Sequence, residues 1–316
     1  MATPVFLTID TEFAARHYAA GFDVDEIYRR SLEPAGVGLG YQLQTFARHG
    51  LKACFFVDPM PAMVFGLDPV RRMVETILVA SQEVQLHLHP SWTTARLDDR
   101  SILRRDHMHD YSRDEQIELI EGATELLVAA GAPHPIAFRA GNYGANDDTL
   151  AALAATGFVF DSSHNGAAAP TASRISLPPD CIAPLREAVI EVPVTVIEDS
   201  PGNLRTCQLC ALSTGEMDAA LDHARDEGHA AVTIVSHGFE LANRSGTRAN
   251  AVHVRRFEAL CKRLEADADM LPTMHFADRS VLALGRTDEP LAPNVLRTRW
   301  RQAEQLWSNW VSERAA

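Results

Sequence analysis

Two pairs of residues in this chain have the types and the spacing for chemistry at a cation. Asp10 and Glu12 follow the strand-like run Val5-Phe-Leu-Thr-Ile9, and His87 and His89 close the run that begins Glu83-Val-Gln-Leu86. In an extended backbone alternate side chains share a face, so each pair projects to one side. Two imidazoles and one carboxylate suit a divalent ion with positions left for water and substrate, and the remaining carboxylate is free to take a proton from that water. Which carboxylate does which is open at this level. His237, after Val232-Thr-Ile-Val-Ser236, and Arg139, after Ile136-Ala-Phe138, add an imidazole and a guanidinium at two further strand ends. Each residue alone has a plain explanation as a turn residue, a helix cap, a core histidine or an ion-paired arginine. Their joint placement at successive strand ends, where parallel α/β folds collect their function, is what points to a site.

The elements that must hold these residues alternate strand and helix along the chain. The apolar runs at 5–9, 52–57, 83–89, 136–139, 158–161, 188–197, 231–236 and 273–276 read as strands, with Pro193 marking an edge or a bulge in the longest. Between them, helical periodicity covers residues 36–49, closed by Gly50, then 69–80, 147–155, 217–227 and 252–266. A further helix opens on the capping box Ser112-Arg-Asp-Glu115 and runs to about Ala130. Such alternation favours a parallel sheet with helices outside, closed or partly closed as a barrel. Residues 294–313 read as a terminal helix bearing Trp300, Leu306, Trp307 and Trp310, expected to dock on the barrel, with a homodimer contact as the alternative.

Composition narrows the function classes. The formal charge of −13 repels phosphate backbones, which argues against a nucleic-acid partner. No stretch reaches the roughly 18 apolar residues of a membrane span. The start, Met1-Ala-Thr-Pro-Val-Phe, lacks the basic region of a secretory signal, so a cytoplasmic location is expected. Five cysteines, an odd number, read as free thiols in a reducing compartment; Cys207-Gln-Leu-Cys210 has the spacing of half a zinc ribbon but no second pair to complete it. The loop Asp106-His-Met-His-Asp110 reads as solvated or substrate-facing, with a second metal site as the alternative.

The ordered set of motifs resembles the polysaccharide deacetylases, the NodB-homology group of carbohydrate esterases (family 4), over about residues 4–284. The resemblance implies a distorted or incomplete (β/α) barrel with seven or so parallel strands over residues 1–290, and a C-terminal helical extension over 291–316. Leu7-Thr-Ile-Asp-Thr-Glu12 is similar to the first family motif, which makes Asp10 the general base and Glu12 a metal ligand. Glu83-Val-Gln-Leu-His-Leu-His-Pro90 is similar to the second, with His87 and His89 as the other ligands, but it is two residues shorter between the histidines than the family pattern, and Ser91 stands where the longer spacing would put the second one. Phe138-Arg-Ala-Gly-Asn-Tyr-Gly144 resembles the third, in which an Arg, here Arg139, orients the catalytic acid; Ala140 and Gly141 replace the family's prolines. Ile234-Val-Ser-His237 resembles the last, whose His is the general acid. Asp161, in Gly157-Phe-Val-Phe-Asp-Ser-Ser163, is a further expected site residue, and Trp92 and Tyr143 are expected against a sugar ring.

The implied activity is metal-dependent removal of an N-acyl group, acetyl first, from an amino sugar or sugar conjugate. Zn²⁺ is the expected ion, with Co²⁺, Ni²⁺ or Mn²⁺ as substitutes. The backbone N–H of Tyr143 is a candidate for steadying the oxyanion. Without an export signal, the expected substrate is a free, nucleotide-linked or lipid-linked intermediate rather than a wall polymer. The alternatives are a hydrolase of another C–N amide on the same scaffold, such as a cyclic ureide or formamide, and a carbohydrate-binding protein without turnover.

Overall fold

Val5–Ile9 has no polar face to offer water, and it becomes the middle of the sheet. In the computed structural model, which describes residues 2–100, 104–278 and 282–312, every residue of β1 (Val5–Thr11) is buried. The chain continues through α1 (Ala15–Ala19), α2 (Val24–Ser31) and α3 (Leu39–His49) to β2 (Cys54–Val57), then α4 (Ala62–Phe65), α5 (Asp68–Val79) and β3 (Glu83–Leu88). Next come α6 (Arg113–Ala129), β4 (Ala137–Ala140), α7 (Asp147–Ala155) and β5 (Phe160–Asp161), followed by the short β6 (Leu185–Arg186) and β7 (Ile190–Glu191). The last elements are a hairpin of β8 (Val196–Ser200) and β9 (Asn203–Thr206), then α8 (Thr214–Glu227), β10 (Val232–His237), α9 (Ala251–Ala266) and α10 (Val295–Ser312). The capping box at Ser112 and Glu115 forms, and Gly50 ends α3 in the left-handed conformation.

The main sheet has the order β10-β1-β2-β3-β4-β5-β7-β6. Seven of its strands run parallel and only β6 is antiparallel, which bears out the expected incomplete barrel. Strands buried on both faces divide the apolar interior in two, a large core between sheet and helices and a smaller one of Phe6, Phe56, Phe160 and Phe276 with their neighbours on the other face.

Two expected strands differ. The run 188–197 is broken at Pro193, which has no N–H for the ladder. Its first half bonds the β5 side, through Val192 N–H to the Asp161 carbonyl, and Thr195 then donates to Thr233 on β10. This one segment thus bonds the strands at both sides of the sheet and spans the gap between them. The expected strand at 273–276 shrinks to a single bridge, Thr273 with Val5. Its remaining donors are taken by carboxylates instead: His275 N–H by Asp278, and Phe276 and Ala277 N–H by Glu83, each at 2.8 Å. Glu83 therefore closes the amino end of the barrel, away from the strand ends that carry His87 and His237.

Candidate active site

Sheet register sets the site. Asp10 on β1 is paired with His237 on β10, and His87 on β3 with Arg139 on β4. Arg139 is fully buried and reaches across the interior over the Phe56 ring, 4.4 Å from its centroid. It donates to Asp10 at 2.7 Å, to Thr8 Oγ1 at 2.9 Å, and to the carbonyl and hydroxyl of Ser162 at 3.0 Å each. Burial disfavours the charge on Asp10, but Arg139, His87 and His237 outweigh it and hold the carboxyl below its ordinary range.

Glu12, His87 and His89 converge beside it. Glu12 Oε2 lies 2.5 Å from His89 Nε2 and 3.5 Å from His87 Nε2. His87 Nδ1 lies 2.9 Å from the Arg139 carbonyl, which can only accept, so that nitrogen carries a hydrogen and Nε2 is the one turned toward Glu12. His89 Nδ1 lies 3.0 Å from Asp106, which also accepts from Asn142 at 2.7 Å and from the Ser91 hydroxyl. Ser91 is thus a support for Asp106 rather than a substitute for His89. The outer nitrogen of each imidazole is engaged, as in metal-binding histidines, and the three inner donor atoms face one another. Burial works against a charged His89, yet Glu12 and Asp106 raise its pKa well above the usual range, while the two histidines hold Glu12 well below its own. Three ligand atoms within 4.8 Å of one another, two of them imidazole nitrogens whose rings are held from behind, fit a divalent cation.

The contracted spacing has a visible counterpart. A Cβ placed on Gly141 would lie 2.5 Å from His89 Nδ1, so the ring occupies room that only glycine leaves.

On the other side, His237 Nε2 is 3.8 Å from Asp10, and its Nδ1 is 2.8 Å from Glu240. Gln208, Ser236 and the Cys210 thiol all donate to Glu240. Burial opposes a charged His237, but the Glu240 carboxylate, with Asp10 and Glu12, raises it to about 9. Glu240 was not singled out in the sequence, and its only signal there is its place three residues after His237. Asp58, just after β2, lies near His87 and His89 with one carboxylate oxygen buried and unpartnered among the described residues, and burial pushes it up to about 7 against the pull of His89 and His87.

The three residues expected against substrate part ways. Trp92 is 2% exposed and packs edge-on against Tyr18 and Phe65, because the turn that Pro90 starts directs the indole inward; it is a core residue. Asp161 is fully buried, accepts from the Ser163 hydroxyl at 2.7 Å and faces Glu191, a carboxyl pair beneath the site rather than a sugar contact. Tyr143 does face the site. It and Asn142 adopt positive φ, and its hydroxyl is buried without a partner among Asp10, Arg139, Glu240 and Cys210. Its availability is through the hydroxyl, not a stacking face. In the 106–110 loop, His107, His109 and Asp110 bring three potential ligand atoms together, the alternative metal site read from the sequence, with the two rings stacked at 4.7 Å and the His109 pKa lowered by burial and by the charge of Arg174. All five cysteines are free, and Cys210 serves Glu240.

No family model matches the sequence, and no curated protein matches it. Among solved structures, the chain is similar to a Mycobacterium smegmatis protein described as a polysaccharide deacetylase, with 18% identity, 91% of this chain and 95% of that one covered, and a TM-score of 0.52. It is also similar to the 4-alpha-glucanotransferase of Thermococcus litoralis, at 10% identity and a TM-score of 0.53, covering 89% of this chain but 41% of that one. A family 4 carbohydrate esterase from Streptomyces lividans, solved in complex with acetate, aligns over 93% of this chain and 98% of its own at 12% identity, with a TM-score of 0.44. The chain therefore has the NodB-homology fold of the polysaccharide deacetylases. Two differently named enzymes on similar scaffolds show that the chemistry must be argued from the site.

Proposed function

We propose that this chain is a metal-dependent hydrolase that removes an N-acyl group, acetyl in the first instance, from an amino sugar or sugar conjugate. The observation that carries the reading is the convergence of Glu12, His87 and His89 beside a second carboxylate, Asp10, that Arg139 holds ionised. These three residues would hold the cation, and a nitrogen-rich donor set of this size favours zinc. Bound there, such an ion supplies Lewis-acid polarisation of a water and of the acyl oxygen.

The chain's own groups divide the proton work. Asp10, ionised and next to Glu12, takes the proton from the attacking water. Arg139 keeps that carboxylate charged and fixes its direction. His237, protonated near neutral pH because of Glu240, gives its proton to the departing nitrogen, which otherwise leaves poorly. Glu240 acts through His237 by fixing the ring and its charge. The buried Tyr143 hydroxyl is placed to donate to a substrate oxygen, a role that replaces the expected ring stacking.

The test is direct. Purified protein is assayed for bound divalent metal, then screened for acetate release over N-acetylated sugars and nucleotide sugars. Bound metal and release from one of them support the reading. A folded chain that takes up no divalent ion, or a loaded one that deacylates none of the panel, removes it.

A further inference from the structure

α10 is docked with its polar side inward. Arg301, 5% exposed, bonds Glu216 at 3.0 Å and also reaches Asp199. Glu304 accepts from Arg256 at 3.0 Å, and Ser308, 1% exposed, takes a bond from Asn250 at 2.9 Å. These contacts fix the rotation of the helix, and they leave its apolar side in water. Leu296 is 78% exposed, Trp300 68%, Trp307 58% and Trp310 55%, with Val295, Leu306 and Val311 also exposed. A helix that merely covered its own barrel would face the other way.

We propose that this face is a dimer interface and that its occupant is the same face of a second copy of this chain. Leu296, Trp300, Ala303, Trp307 and Trp310 recur at spacings of four, three, four and three, the heptad pattern by which like helices fit side chains into one another. Three indoles and four aliphatic side chains, at these exposures, offer on the order of the ~800 Å² per partner that a standard interface buries. A single self-complementary face closes after two copies and leaves no edge for a third. Charge argues for protein rather than lipid. The only cation amid the apolar arc is Arg299, and a chain of formal charge −13 is repelled by an anionic bilayer. This inference does not depend on the proposed chemistry.

The experiment is sedimentation velocity on the full chain across the micromolar range, beside the double variant Trp307→Glu/Trp310→Glu. A wild type of twice the chain mass, with a variant of single mass and unchanged circular dichroism, supports the interface. A monomeric wild type at the highest concentration overturns it, as does a folded variant that stays dimeric. Co-flotation of a monomeric wild type with phosphatidylcholine–phosphatidylglycerol vesicles overturns it in favour of a lipid surface. Should the double variant lose its fold, hydrogen exchange on the wild type decides: α10 amides must become more protected as concentration rises, and concentration-independent exchange rejects the dimer.

Discussion

Glu240 places a carboxylate oxygen 2.8 Å from Nδ1 of His237, three residues earlier in the chain, so the imidazole that faces Asp10 is held from behind by an anion. Removing that anion while keeping the shape should show what it does. In Glu240→Gln the buried imidazolium loses its principal support, and its pKa should fall from about 9 to the ordinary 6.5 or below. Because the folded pKa is raised, the protonated form is lost as pH rises. The alkaline limb of the kcat/KM profile should therefore move to lower pH, with the acid limb unmoved. An unshifted alkaline limb would detach His237 from the proton transfer.

His237→Ala separates leaving-group protonation from other roles. The expected loss is about 10²–10⁴-fold on an amide, and much less on an activated phenyl ester whose leaving group needs no proton. Equal losses on both substrates would assign His237 to structure or oxyanion binding.

The two carboxylates after β1 should part in metal content. Asp10→Asn is expected to retain the ion and the fold while losing several orders of magnitude in turnover; Glu12→Gln is expected to lose the ion. Elemental analysis of both proteins checks this. Ion-free Asp10→Asn protein would mean that the two roles are exchanged.

Gly141→Ala tests the fit of the shortened histidine motif. The added methyl would press on the His89 ring and disturb its bond to Asp106, and losing such a support typically weakens metal binding about 10–100-fold. Chelator competition measures it. Gly122→Ala, on α6 with nothing near the new methyl, is the control and should bind as the wild type does. Equal affinity in both variants would show that the ring has room to move.

Much of the barrel was legible because strands buried on both faces read as unbroken apolar runs, and their ends mark where polar groups gather. β1, β3 and β10 carried Asp10, Glu12, His87, His89 and His237 into view for that reason. Glu240 and Asp58 were hidden, and Asp106 was visible only as part of its own loop and not as the partner of His89, because such placements depend on how loops fold back over the strand ends, which has no period to read. Trp92 misled for the opposite reason. An aromatic beside a motif was expected to face the substrate, but the turn at Pro90 sends it into a cluster with Tyr18 and Phe65. The terminal helix was visible by its periodicity, while its rotation was decided by Arg301, Glu304 and Ser308, which pattern alone treats as the wet side.

Arg139 has a mechanical consequence. Its guanidinium holds Asp10 while its own carbonyl holds His87, so one residue ties the carboxylate of β1 to the cluster of Glu12, His87 and His89. A small slide of β4 along its neighbours would carry both anchor points in the same direction. One residue thus couples the positions of Asp10 and His87 through β4, and a change at Arg139 would be felt at both.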